Sequence, residues 1–324
     1  LSNAVVNALT RAGSRAEIDV SAIGEVRDPT ADQDLQLALW MLYELHYRGF
    51  RDVDDAAEWD PDLLAARRAL EGPFEEALRA LVSLPDPVPT TPSEVALELT
   101  RRTIDTTEPA LAAFLARDAT HEQFETYLVE RAVYHLREAD AQSLLLARIG
   151  GPAKTALAEI LYDELGAGRP DRLHADLFAR GLTDLGLPTD LGTYAARADA
   201  ATLASVNVGS MFNLHRRLRG AAAGHFAAFE ATSSVPCRLI AEGAERLDLP
   251  PTVADYYHEH VEADAVHEQV ATTDLCGALV AAEPDLAADI VFGAGACLAI
   301  DGRAGEVLLG RLRDQSPDDD QVAS

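Results

Sequence analysis

His260, Asp264 and His267 stand at offsets of four and seven residues within the segment from Tyr256 to Glu268. At 3.6 residues per turn such offsets return to one helix face. Two imidazoles and a carboxylate on one stripe are poor core material, because each costs several kcal/mol if buried unpaired. His260 and His267 are separated by a rise of about 10 Å, wide for one ion. That length suits two ions about 3.5–4 Å apart, one near each histidine, with Asp264 between them. A solvated acidic face that happens to carry histidines gives the same pattern, so the other helices must decide.

They offer carboxylates set in apolar helical sequence. Glu138 follows Tyr134 and precedes Leu144–Leu146; Glu164 lies in the run from Leu157 to Leu165; Glu230 follows Phe226 and Phe229. His174 comes ten residues after Glu164. Taken singly, each resembles an ordinary surface glutamate or histidine. Taken together, Glu138, Glu164, Glu230 and Asp264 carry four negative charges, which balance two divalent cations. Without metal, four clustered carboxylates repel and in part protonate. Imidazole and carboxylate without sulfur suit iron or manganese, with zinc next, and exclude an iron–sulfur centre. Bundles of the ferritin type use two Glu-x-x-His pairs, and the candidate helices carry no such pair of motifs.

The elements that must position these groups are helices. Hydrophobic residues make up 48% of the 324 positions and aromatics only 6%. Alanine and leucine are abundant, and little alternation suggests strands. Periodicity predicts helices from about Asp32 to Phe50, after Pro61 to Leu81, over Glu94–Thr103 and over Pro109–Arg117. It predicts one long helix over His121–Arg148 carrying Glu138, and another from Pro152 through Glu164. His174 falls in the first turns of the next. Asp199–Thr232, with Glu230 near its end, is followed by a short helix over Pro236–Leu247. Pro250-Pro251 then opens the histidine stripe, and Asp285–Ile300 and Gly302–Asp314 close the bundle. Residues 1–30 read as loosely ordered, 84–92 as a proline-rich linker, and 315–324 as a disordered acidic tail. The domains expected are a helical extension over 1–118 and a core over 119–314.

The formal charge of −27, from 54 acidic and 27 basic residues, repels phosphate backbones and anionic lipids. Nucleic-acid and membrane partners are therefore not expected. Cys237, Cys276 and Cys297 are scattered and odd in number, and read as buried reduced thiols of a cytoplasmic protein. No signal peptide is apparent, and the apolar run Ile290–Ile300 is too short to span a bilayer. The basic cluster His215, Arg216, Arg217 and Arg219 is expected to pair with acidic helices. Glu44 and His46 lie on different helix faces and make a weak metal pair. His258 is expected to be exposed.

The order Glu138, Glu164, His174, Glu230, His260, Asp264, His267 resembles the haem-oxygenase-like diiron oxidases and oxygenases. Tyr43–Phe50, Asp163–Gly168, Leu214–Gly220 and Glu230–Ser234 resemble their iron-containing redox enzyme branch. The resemblance covers residues 120–300 closely and extends more weakly to about 35. It implies an all-α, haem-oxygenase-like helical bundle with an N-terminal helical extension, binding two Fe(II) ions rather than haem, with O2 as cosubstrate. The positions matching Glu164, His174, Glu230, His260, Asp264 and His267 are iron ligands there. The one matching Glu138 is an extra carboxylate of the N-oxygenating members, which gives Glu138 a catalytic and ligand role. The implied function is N-oxygenation of an amine, a guanidine or an amino-acid-derived metabolite. Oxidative C–C cleavage of fatty or amino acids is the alternative, and a non-catalytic helical metal-binding or scaffold protein is the alternative of another class. Partners on this reading are a small-molecule substrate, an external electron donor and a second copy in a homodimer.

Overall fold

A computed structural model describes residues 1–10, 18–104 and 109–315, apart from the side chains of 262–265. Among them the regular elements are helices, with no strand, and no helix is long and apolar enough to cross a membrane. Of the tail expected over 315–324, residues 316–324 lie outside the described residues.

The long core helices are His121–His135, Gly151–Glu164, His174–Asp184, Ala200–Leu214, Arg219–Arg246, Pro251–Gln269 and Ala287–Asp314. Their starts follow local chemistry. Thr120 and Gln123 form a reciprocal capping box at the first, satisfying amides that have no helical partner. Proline stands in the first turn of Gly151–Glu164 and of Pro251–Gln269, where its missing N–H costs nothing. The N-terminal helix Gln33–Glu44, capped by Asp32, packs on Ala200–Leu214. The buried Asn207 amide donates to the Gln36 carbonyl and side chain at 2.8 and 2.7 Å across that contact.

Arg219–Arg246 and Ala287–Asp314 cross with their backbones touching. A Cβ on Gly224 would lie 1.8 Å from the Ile290 carbonyl oxygen, and one on Gly293 would lie 2.0 Å from that of Ala221. Gly224→Ala should therefore force the helices apart and lower stability by about 1–3 kcal/mol, read as a lower urea midpoint.

Four expectations are corrected. The long helix over His121–Arg148 is two, His121–His135 and Asp140–Leu146, with Ala139 at φ 68° between them. Tertiary contacts fix that break: Arg137 is drawn to Glu44 at 2.8 Å, and Glu138 to Tyr256 at 2.7 Å. The stretch Asp199–Thr232 ends early, at Leu214, whose carbonyl accepts from Arg148 at 2.9 Å. It resumes as one helix through Pro236 to Arg246, so Glu230 is interior rather than near an end. Asp285–Ile300 and Gly302–Asp314 form a single helix, Ala287–Asp314; packing on both sides outweighs the roughly 1 kcal/mol helical cost of Gly302. Residues 1–30 include the helix Ser2–Thr10, whose start is tied to Asp34 by the amide of Ser2 at 2.9 Å; 11–17 lie outside the described residues.

Candidate metal centre

The local sequence explains how the bundle aims its polar groups inward. Glu164 ends its helix, and Gly166, Ala167 and Gly168 follow with φ of 84°, 53° and 78°. A Cβ on Gly166 would lie 2.4 Å from the Arg169 carbonyl oxygen, so the reversal requires glycine. It lets residues ten apart face each other: His174, first in its helix, sets Nδ1 2.9 Å from Glu164 Oε2. Glu230 projects from the middle of Arg219–Arg246. His260 and His267 come from Pro251–Gln269, which continues past His267 as a π-helix over Val270–Cys276.

Six of the seven sequence-predicted residues converge. Glu138, Glu164, Glu230, His174, His260 and His267 are each 2–6% exposed. They form two donor groups, one of Glu138, Glu164, His174 and His260 and one of Glu164, Glu230 and His267, each with ligand atoms within 4.8 Å of one another. Glu164 belongs to both. The two histidines of the stripe fall in different groups, as their separation along the helix requires. Asp264 lies on the same helix, but its side chain falls outside the described residues.

The imidazoles are held by their outer nitrogens. His260 Nδ1 is 2.8 Å from the Tyr256 carbonyl and donates to it, which leaves Nε2 facing Glu138 Oε1 at 3.3 Å. His267 Nε2 lies 3.4 Å from Asp163 Oδ2, which turns Nδ1 toward Glu230 at 3.3 Å and Glu164 at 3.5 Å. This is how second partners orient metal-binding histidines. His174 Nδ1 and Glu230 Oε2 are buried without a hydrogen bond of good geometry. Buried N and O donors, orphaned in part and free of sulfur, fit first-row divalent cations.

Sequence reasoning missed the support around Glu138. Tyr256 donates to Glu138 Oε2 at 2.7 Å and stands 2.5 Å from His135 Nδ1. Their spacing was the available signal: Tyr256 precedes His260 by four residues, and His135 precedes Glu138 by three. Asp163 was likewise missed, because it reads as a surface neighbour of Glu164.

Burial opposes ionisation of Glu138, yet His260 and the contact with His135 hold its carboxyl well below the usual carboxylate range. Burial, aided by the charge of Glu164, pushes Glu230 up despite its contact with His267. Burial pushes His135 down to about 4. Burial also works against a charged His267, but Glu230, Glu164 and Asp163 overcome it and push the ring up to about 9. Because the folded value exceeds the ordinary 6.5, this histidine stabilises the metal-free protein fully below pH 6.5, and that contribution is lost as pH rises through about 9. An imidazole must be neutral to ligate a metal, so loading displaces the proton. Apparent ferrous affinity should rise about tenfold per pH unit across that window, with proton release visible as a buffer-dependent heat in calorimetric titrations.

The expected accessory roles are also resolved. His215 and Arg217 pair with Glu71 and Glu75 at 2.9 and 2.5 Å, and Arg219 pairs with Glu283. His258 is exposed beside Glu245. All three cysteines are free, but Cys237 is only half-buried.

An all-α bundle that gathers carboxylates and imidazoles from several helices is the architecture of proteins that hold metal between facing helices. Residues 125–302, more than half of the chain, match the family model described as iron-containing redox enzyme, and the chain belongs to that family. A crystal structure of a CADD-like protein of unknown function from Nostoc punctiforme is similar, with TM-score 0.54 and 17% identity over 68% of this chain and 98% of that one. A second crystal structure with the same description gives 0.53 and 16% over 70% and 97%. At these identities the likeness establishes the haem-oxygenase-like bundle alone. The comparison with curated proteins gives no match.

Proposed function

We propose that the protein is a non-haem diiron oxygenase that activates O2 and N-oxygenates an amine, a guanidine or an amino-acid-derived metabolite. The observation that carries this reading is the membership of Glu164 in both buried donor groups, since a carboxylate has one oxygen for each of two adjacent cations. Glu138, His174 and His260 would hold one ion, and Glu230 and His267 the other. When bound, iron supplies the Lewis acidity and redox capacity that O2 activation requires.

The chain's own groups do the rest. Three buried carboxylates offset the cationic charge, and the outer hydrogen bonds of His260 and His267 fix which nitrogen faces inward. The Tyr256 hydroxyl, between Glu138 Oε2 and His135 Nδ1, can hold or pass a proton at the edge of the centre. A cavity of about 610 Å³ reaches Glu138 and His260, which supports substrate approach from that side.

Oxidative C–C cleavage is a second reading, favoured by the apolar walls Leu111, Ile240, Leu308 and Leu309 of the same cavity. Anaerobic loading with Fe(II), iron analysis, and O2 uptake with amines, guanidines and fatty acids test both. Two irons per chain and a nitrogen-oxygenated product are expected. Shortened, decarboxylated products would transfer the assignment to the second reading. Iron bound without substrate-dependent O2 uptake would leave a metal-binding protein without turnover.

A further inference from the structure

The cavity beside the centre has polar features that metal binding does not use. Its lining runs from Glu138 and His260 past His135 to Tyr127, Arg131 and Tyr257. Arg131 is half-buried, with its guanidinium carbon 5.7 Å from the Tyr134 ring centroid. Among the described residues it forms no ion pair; it lies against the Tyr127 hydroxyl, and the acid whose charge it feels is Asp301. Both Asp301 oxygens are engaged elsewhere, Oδ1 by the Ser205 hydroxyl and Oδ2 by the Cys297 thiol at 3.5 Å. A further atom of the cavity wall, His135 Nε2, is buried with no hydrogen-bond partner among the described residues, while the Tyr257 hydroxyl interacts with that of Tyr127. Buried polar groups without partners in a cavity wall mark where a ligand's polar atoms go.

We propose that Arg131 anchors a carboxylate of the substrate, and that the atom to be oxidised lies at the far end of the molecule, beside Glu138 and His260. This rests on the oxygenase reading and narrows it. One guanidinium matches one monoanion, which it binds through two parallel hydrogen bonds. A phosphate dianion would face Asp301 and Glu306 across the same cavity with a charge left uncompensated.

The spacing sets the reach. Arg131, His135 and Glu138 stand at offsets of four and seven along one stripe, with Glu138 on the turn just past the helix end. Seven residues of helical rise correspond to about 10 Å. That is a separation of backbones along the stripe, and a substrate with a terminal amine, guanidine or chain end spans it between its carboxylate and its reacting end, with His135 Nε2 along the stretch between.

The test is calorimetric titration of the anaerobic Fe(II)-loaded protein with 6-(4-fluorophenyl)hexanoate and with the corresponding amide. The acid should bind wild type about tenfold or more tightly than the amide, as loss of a charge-assisted hydrogen bond implies. Arg131→Gln should erase that difference, Arg131→Lys should keep part of it, and bound iron should broaden the fluorine resonance. Equal binding of acid and amide, displacement of the acid by inorganic phosphate at lower concentration, or an unbroadened fluorine signal would overturn the proposal. Should Arg131→Gln fail to fold, the acid–amide comparison on metal-free wild type decides the matter: acid preference kept without iron supports the anchor, and its loss would place the carboxylate on the metal and overturn the proposal. Acid-selective, Arg131-dependent binding in a protein that consumes no O2 with any substrate would keep the anchor and remove the oxygenase reading.

Discussion

Glu164→Gln should empty both metal positions while leaving the fold intact. Glu164 belongs to both donor groups, with Oε2 2.9 Å from His174 and Oε1 3.5 Å from His267. The amide has nearly the same shape but carries no charge and offers one acceptor oxygen instead of two. Ferrous affinity should fall about 100-fold or more, the upper end of what losing even a supporting ligand partner costs, and O2 turnover should become undetectable. The metal-free variant should melt within a few degrees of metal-free wild type, because removing one of three clustered negative charges relieves repulsion on Glu230 and offsets the lost contacts with histidine. Wild type should gain about 2.7 kcal/mol per iron site when iron is present at a hundred times its Kd; the variant should gain almost nothing. A variant that still binds two irons, or still melts higher when they are added, would show that Glu164 is not shared between them.

The second large effect is expected away from the metal ligands. Glu44 and Arg137 form an ion pair at 2.8 Å, with side chains 5% and 4% exposed. Arg137 is also 4.5 Å from the Tyr47 ring centroid. Burial raises the Glu44 carboxyl, against the pull of Arg137, so the pair is held together at some desolvation cost. Glu44→Ala leaves a guanidinium buried without its counter-charge and should destabilise by about 3–5 kcal/mol. Replacing Glu44 and Arg137 together by methionine should recover most of that stability, because an apolar pair of similar volume avoids desolvation. The double variant should nonetheless remain slow in O2 turnover. Arg137 precedes Glu138 in the turn that carries Ala139 in the left-handed region, and without the ion pair that turn loses its buried tie to the N-terminal helix, leaving the more exposed Arg48–Asp140 pair beside it. Recovery of stability and turnover together would remove the positioning role.

How legible the centre was depends on how each group is presented. The stripe His260 and His267 was readable because one helix carries it, and helical periodicity alone assigns a shared face. The pairing of Glu164 with His174 was half readable: the glycines between them announce a reversal, but not which side chains it brings together. Glu230 was placed near a helix end because Pro236 reads as a terminus. The bundle instead carries the helix through it, held by the backbone contact at Gly224 and Gly293. Glu138 was read inside a long helix that does not exist; it is the turn after His135 that brings it to the other carboxylates and histidines. The supporting residues His135, Tyr256 and Asp163 look ordinary in sequence, since their roles depend on partners as many as 121 residues away.

By itself, then, the sequence determined the class of the fold, the boundaries of several helices and the residue types that could hold metal. These follow from local propensity, capping and the 3.6-residue period, all properties of neighbouring residues. Only the tertiary structure decided that Glu164 belongs to two groups at once, that the turn at 136–139 is fixed by Glu44, and that a cavity joins Arg131 to the centre. Each is a relation between side chains on different helices, set by how the bundle packs.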